Sequence, residues 1–161
     1  MKTFKEFLDE SSLTRLACKS KKGAVAIVSA ERGGKSKAEN KARSKQLEKD
    51  IRGAGLPGPT KVKGRYTEYG KKPKAERSYV VSQGKKGKKK FKKALEKLAT
   101  KYDQDSVLIQ RKGGGDATLK GTNKAPWPGK GKNVKTGKMR PGRTGEFDTQ
   151  IKKKTFTYER N

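Results

Sequence analysis

The amino-acid sequence predicts a small single α+β domain with elements in the order strand–helix–strand–strand–helix–strand, and three observations predict it. An unbroken apolar run from Gly23 to Ala30 has the length and the small, β-branched composition of a buried strand. A clean helical stripe of apolar residues lies between Lys88 and Tyr102. Short β-rich runs bounded by Gly and Pro flank that helix on both sides. The domain is expected over residues 23–112. Residues 1–10 and a basic linker at 11–22 precede it, and a basic Gly/Lys/Pro-rich arm at 113–161 follows it.

Each element has its own signal. After the first strand, Glu31-Arg32-Gly33-Gly34-Lys35 reads as a turn, and Ser36 with Glu39 fits a capping box. The first helix is expected from Lys37 to about Arg52, burying Ala38, Ala42, Leu47 and Ile51. Gly53, Gly55 and the run Leu56-Pro57-Gly58-Pro59 stop it. Lys61 to Tyr69 and Arg77 to Ser82 read as two strands joined through Gly70-Lys71-Lys72-Pro73. The second helix places Phe91, Ala94, Leu95, Leu98, Ala99 and Tyr102 on one face. Ser106 to Gln110 is a further buried strand. From Gly113 onward periodicity fades, and the arm is expected to order on a polyanion, with a terminal edge strand through Phe156 and Tyr158.

Composition narrows the chemistry. Lys and Arg number 44 against 16 Asp and Glu, for a net charge of +28, and mean hydropathy is −1.13. A chain so basic attracts phosphate polyanions through a salt-dependent, sequence-independent term, so nucleic acid is the expected partner. Histidine is absent, which removes the commonest general base. Cys18 is the single cysteine, so multi-thiolate zinc sites and internal disulfides are excluded, and a catalytic thiol would lack its usual histidine. No cofactor and no metal are expected. No apolar stretch approaches the ~18 residues of a membrane span.

The first ten residues, MKTFKEFLDE, form a short amphipathic pattern with Phe4, Phe7 and Leu8 on one stripe. A helix this short needs a partner surface to fold against. The segment resembles the capsid-targeting peptide of internal head proteins of T-even-type tailed phages. That resemblance implies docking onto the prohead scaffold and cleavage by the prohead protease after the Leu8-Asp9-Glu10 signature, freeing Ser11 as the new N-terminus. It also implies a place in the capsid interior beside the genome, with delivery to the host cytoplasm and a host protein target such as a nuclease or defence factor. The middle of the chain, through Glu39-Asn40, Arg43 and the later helix–strand pair, resembles a family of small bacterial domains of no agreed activity, which implies the fold alone.

The densest charge cluster is Lys85, Lys86, Lys88, Lys89, Lys90, Lys92 and Lys93, at the N-terminal end of the second helix. Cations are mildly destabilising there and phosphates are welcome, so these lysines are the expected contacts to double-stranded DNA without sequence preference. Trp127, Lys130 and Lys132 in the arm extend that surface, Trp127 either stacking on a base or packing the arm. Gly113-Gly114-Gly115-Asp116 lacks the Gly-Lys-Ser/Thr ending of a P-loop and reads as a linker.

The candidate catalytic groups are acids: Glu31, Glu39, Glu68, Glu76, Asp103, Asp105 and Asp116. They form no recognisable spacing, so the sequence reading favours a packaged DNA-binding protein that is not an enzyme. The alternatives are a ribosomal-type RNA-binding protein and a small enzyme acting on nucleic acid.

Overall fold

The computed structural model describes residues 21–66, 74–113, 115–126, 128–137, 140–141, 147–151 and 154–158. The residues of the N-terminal pattern (Phe4, Phe7, Leu8, Glu10, Ser11), together with Cys18, Glu68 and Trp127, lie outside those described.

Strand β1, Val25–Val28, is central because it is apolar on both faces. Ala24, Ala26, Val28 and Ala30 point to one face and join the core under the two helices, while Val25 and Ile27 point to the other. Its neighbours are β3, Lys74–Ser82, and β4, Ser106–Gln110, both antiparallel. Ala26 thus lies opposite Val81 on one side and Ile109 on the other. β2, Thr60–Tyr66, pairs with β3 as the expected hairpin.

Helix α1, Lys37–Gly53, is capped by Ser36, whose hydroxyl accepts a hydrogen bond from the Glu39 amide at 3.1 Å. The Glu39 carboxylate meets the Ser36 hydroxyl instead of the cap's backbone N–H, which is half of the predicted capping box. The buried face is Ser44, Leu47 and Ile51, and Ala38 and Ala42 are exposed. Arg43 explains the rotation. Its guanidinium donates to the Ala30 carbonyl at 2.7 Å and to the Tyr102 carbonyl at 2.5 Å, so this face of α1 turns inward. Gly55, at φ +79°, closes the helix in a Schellman arrangement, with the Leu56 N–H donating to the Ile51 carbonyl and Leu56 buried.

Helix α2, Lys88–Lys101, buries Phe91, Leu95, Leu98 and Ala99 as its periodicity predicts. The two helices meet through Asp50, which accepts hydrogen bonds from Lys101 Nζ at 2.7 Å, Tyr102 Oη at 2.6 Å and Gln46 Nε2 at 3.0 Å. Burial pushes its carboxyl up, and these three donors outweigh that and hold it below the ordinary value. A depressed folded value contributes stability above the unfolded pKa, and that stability is lost as pH falls through the folded one. Asp50→Asn is expected to cost about 1–2 kcal/mol at neutral pH and to flatten the acid limb of a pH–stability curve measured by urea unfolding.

The C-terminal third departs most from expectation. Where an arm is predicted, residues 117–157 add β5 (Ala117–Gly121), β6 (Asn133–Lys135), β7 (Arg140–Pro141), β8 (Phe147–Ile151) and β9 (Lys154–Thr157). Strand order is β6-β5-β4-β1-β3-β2-β8-β9-β7, so β9 lies inside the sheet and not at its edge. Gly113, Gly115 and Asp116 lie between β4 and β5, where the Gln110 side-chain amide donates to the Gly115 carbonyl at 3.1 Å.

The sheet curls so that the chain just after β6 reaches the chain just after β9. The Gly137 N–H donates to the Tyr158 carbonyl, and the Gly137 carbonyl accepts from Ala117 at 3.2 Å. Inside the curl Tyr158 packs with Val25, Ile27, Val62, Val80, Leu108 and Ala117, and its hydroxyl donates to Gln110 Oε1 at 3.0 Å. Among the described residues no helix is long and apolar enough to cross a membrane.

Candidate active site at the carboxyl end of β1

Antiparallel pairing brings the end of β1, the start of β3, the start of β4 and the end of β5 to one end of the sheet. Four acids from those segments converge there: Glu31, Glu76, Asp103 and Asp105. The Ser29 hydroxyl donates to the Arg77 carbonyl at 2.8 Å and accepts from the Glu31 amide at 3.2 Å. Glu31 Oε2 in turn accepts from the Arg77 N–H at 2.5 Å, with the Arg77 guanidinium 3.8 Å from its other oxygen. Arg32 reaches across to Asp105 at 3.0 Å and Asp103 at 4.0 Å.

The supports behind these groups are local and specific. Asn40, one turn into α1, both accepts from the Arg32 N–H and donates to its carbonyl, each at 3.0 Å, and so fixes the β1–α1 loop. The Asn123 side-chain amide donates to Asp105 at 2.9 Å and to Asp103 at 3.2 Å. Gln104 donates to the Glu31 carbonyl at 3.1 Å, and the Thr122 hydroxyl donates to the Gln104 carbonyl at 2.5 Å. Asp103 occupies the left-handed region at φ +52°, the place a glycine usually takes after a helix. That strain sits beside the acid cluster, as strained backbone at functional sites often does.

Glu76 lies partly buried in this cluster. Burial raises its carboxyl above the usual value, and the charges of Glu31 and Asp105 push the same way. The hydrogen bond with Ser29 and the charge of Arg32 oppose them. Acids crowded together in a chain of net charge +28 form a local negative spot suited to an organic cation. No group of three or more Cys, Asp or Glu side chains among the described residues is spaced to hold a metal ion.

The remaining predicted residues lie elsewhere. Glu39 pairs with Lys35 at 3.9 Å on the exposed start of α1, and Asp116 precedes β5. Lys85 and Lys86 occupy the β3–α2 loop, while Lys88, Lys89, Lys90, Lys92 and Lys93 are exposed on the first turns of α2. Lys130 and Lys132 are exposed between β5 and β6. The lysine cluster is at the opposite end of β1 from the acids, roughly 20 Å away at the rise of a strand. Sequence reasoning missed Ser29, Arg32, Arg77 and Asn123. The available signal was the charged pair Glu31-Arg32 directly after the one fully apolar strand, which reads as an ordinary turn.

Among solved structures, a phage S-adenosylmethionine lyase in complex with S-methyl-5′-thioadenosine is 21% identical. The likeness covers 56% of this chain and 81% of that chain at a TM-score of 0.34. No curated protein matches the chain. The S-adenosylmethionine lyase family matches over residues 26–161, from β1 through the end of the curled sheet.

That match corrects the reading of a DNA-binding internal head protein with no enzymatic role, and with it the expected DNA, prohead and protease partners. The N-terminal segment that carries the phage resemblance lies outside the matched residues 26–161. The physical reason for the error is that net charge governs solubility and non-specific attraction, and says little about what a site does. The span of the match is most of the sequence, and the chain belongs to the S-adenosylmethionine lyase family.

Proposed function

We propose that this protein is an enzyme that cleaves S-adenosylmethionine without water, releasing S-methyl-5′-thioadenosine, at the acid-lined end of β1. The family match over residues 26–161 is the observation that carries the reading. The acid cluster supports it. The substrate presents a sulfonium and an ammonium, which a chain of net charge +28 would repel unless carboxylates offset the repulsion locally. We assign Glu76 and Glu31 to those cationic groups. Arg77, with a side chain 55% exposed beside Glu31, offers a planar fork to the substrate carboxylate.

The chemistry needs few protein groups. Of the carbons on sulfur, the methionyl Cγ is the one the substrate's own carboxylate reaches through a five-membered ring. Attack there forms a C–O bond, breaks the Cγ–S bond and sends its electron pair to sulfur. The products are a neutral thioether and homoserine lactone, and neither water nor a proton enters. Opposite charges disappear as the bond forms, so water opposes the step and its exclusion assists. The protein's work is to hold the methionyl arm folded with carboxylate and Cγ in contact.

Purified protein incubated with S-adenosylmethionine is expected to yield S-methyl-5′-thioadenosine and homoserine lactone in equal amounts by liquid chromatography and mass spectrometry. Unconsumed substrate, or adenine as the released fragment, would sink the assignment.

A further inference from the structure

At the end of the sheet opposite the acids, α2 and strands β4 to β6 border an open cleft of about 760 Å³. Six cations line it: Lys88, Lys92, Arg111, Lys112, Lys120 and Lys135. Of these only Lys120 has a carboxylate partner among the described residues, Glu96 at 3.8 Å. The other five have no carboxylate partner among the described residues. Beneath them Ile109 and Ala24 give an apolar floor, and Gln83, Thr118 and Asn133 supply neutral hydrogen-bonding groups. Helix α2 enters the rim with Gly87 as a cap that makes no side-chain bond and with no acid in its first turn.

We propose that this cleft binds a small anion carrying two or more phosphate groups, at a site separate from the acid cluster. The argument is electrostatic and geometric. Converging cations with a single carboxylate among them cost stability in the free protein, and a compact polyanion removes that cost while gaining charge-assisted hydrogen bonds. The volume suits a small molecule, since ligand pockets commonly run about 300–1,000 Å³. The proposal does not depend on the reaction assigned to the other end of the molecule, and a failure of either leaves the other standing.

The test is isothermal titration of the full chain at physiological salt with inorganic tripolyphosphate and, separately, ATP. Saturable one-to-one binding is expected. The triple variant Lys92→Gln, Arg111→Gln, Lys112→Gln is expected to weaken it by about tenfold or more. A control triple, Lys37→Gln, Lys49→Gln, Lys97→Gln, removes equal charge from exposed positions outside the cleft and is expected to change affinity less than about twofold. Without ligand the cleft variant is expected to melt at the same or a higher temperature than wild type, which separates lost binding from lost folding. Tighter binding of ATP assigns the apolar floor to a nucleoside, and equal binding assigns the site to the phosphate chain alone; both support the proposal. Equal losses in the two triple variants, or no saturation with either probe, would overturn it.

Discussion

Glu76→Gln is expected to lower kcat/KM for S-adenosylmethionine cleavage by about 10²–10³-fold, the size of effect seen when one preorganised electrostatic group is removed from an active site. The same variant is expected to be at least as stable as wild type at neutral pH. Glu76 is partly buried near Glu31 and Asp105, and its folded pKa is raised above the ordinary value of 4.5. The native state therefore keeps a proton through a window in which the unfolded chain has released it. Stability is fully present below the ordinary value and falls as pH rises through the folded one. Gln has no proton to lose, so that fall disappears. Activity moves the other way, because the charged carboxylate is the form that attracts the sulfonium. Turnover in wild type is expected to rise with pH through the raised pKa, and the variant's residual turnover is expected to lose that limb. Urea unfolding and initial rates across the acid range check both. A variant with wild-type turnover removes Glu76 from the site, and one that is inactive because it has unfolded contradicts the stability argument.

How much of this could be read from the chain differs sharply between scaffold and site. The first strand, both helices, the β2–β3 pair and β4 follow from periodicity and turn chemistry, because each buries its own apolar residues in a local pattern. Helix α1 shows where local patterns end. Its alanines at 38 and 42 are exposed because Arg43 is bound to two carbonyls of other elements, a tertiary choice that propensity does not contain. The acids were visible but dispersed. Glu31, Glu76, Asp103 and Asp105 span 75 positions, and only the antiparallel neighbours of β1 bring them to one end of the sheet. A run of lysines adjacent in sequence is far easier to notice than four carboxylates adjacent in space. The C-terminal strands were hidden for a different reason. β6 and β7 span only three and two residues, and the glycines around them look like linker composition.

Those glycines carry the second large effect. Gly121, at the end of β5, donates its N–H to the Lys132 carbonyl at 2.9 Å and accepts from the Gly131 N–H at 3.0 Å. A methyl group at its Cα would lie 1.8 Å from the Gly129 carbonyl oxygen, a backbone atom with no rotamer to yield. Gly129 and Gly131 themselves hold φ of +97° and +78°, conformations that side chains resist. Gly121→Ala is therefore expected to cost about 3 kcal/mol or more in urea unfolding, since the loop must leave the sheet to admit one carbon. Gly53→Ala is the matched control. It sits in the last turn of α1 with open space around it, and it is expected to be neutral or to stabilise by up to about 1 kcal/mol. The effect of Gly121→Ala extends to the acid cluster, because the next two residues, Thr122 and Asn123, hold Gln104, Asp103 and Asp105 in place. Loss of turnover under conditions where the variant remains folded would tie the glycine-rich third of the chain to the geometry of the site. A fully stable, fully active Gly121→Ala would mean that β5 and the 129–131 turn do not pack as described.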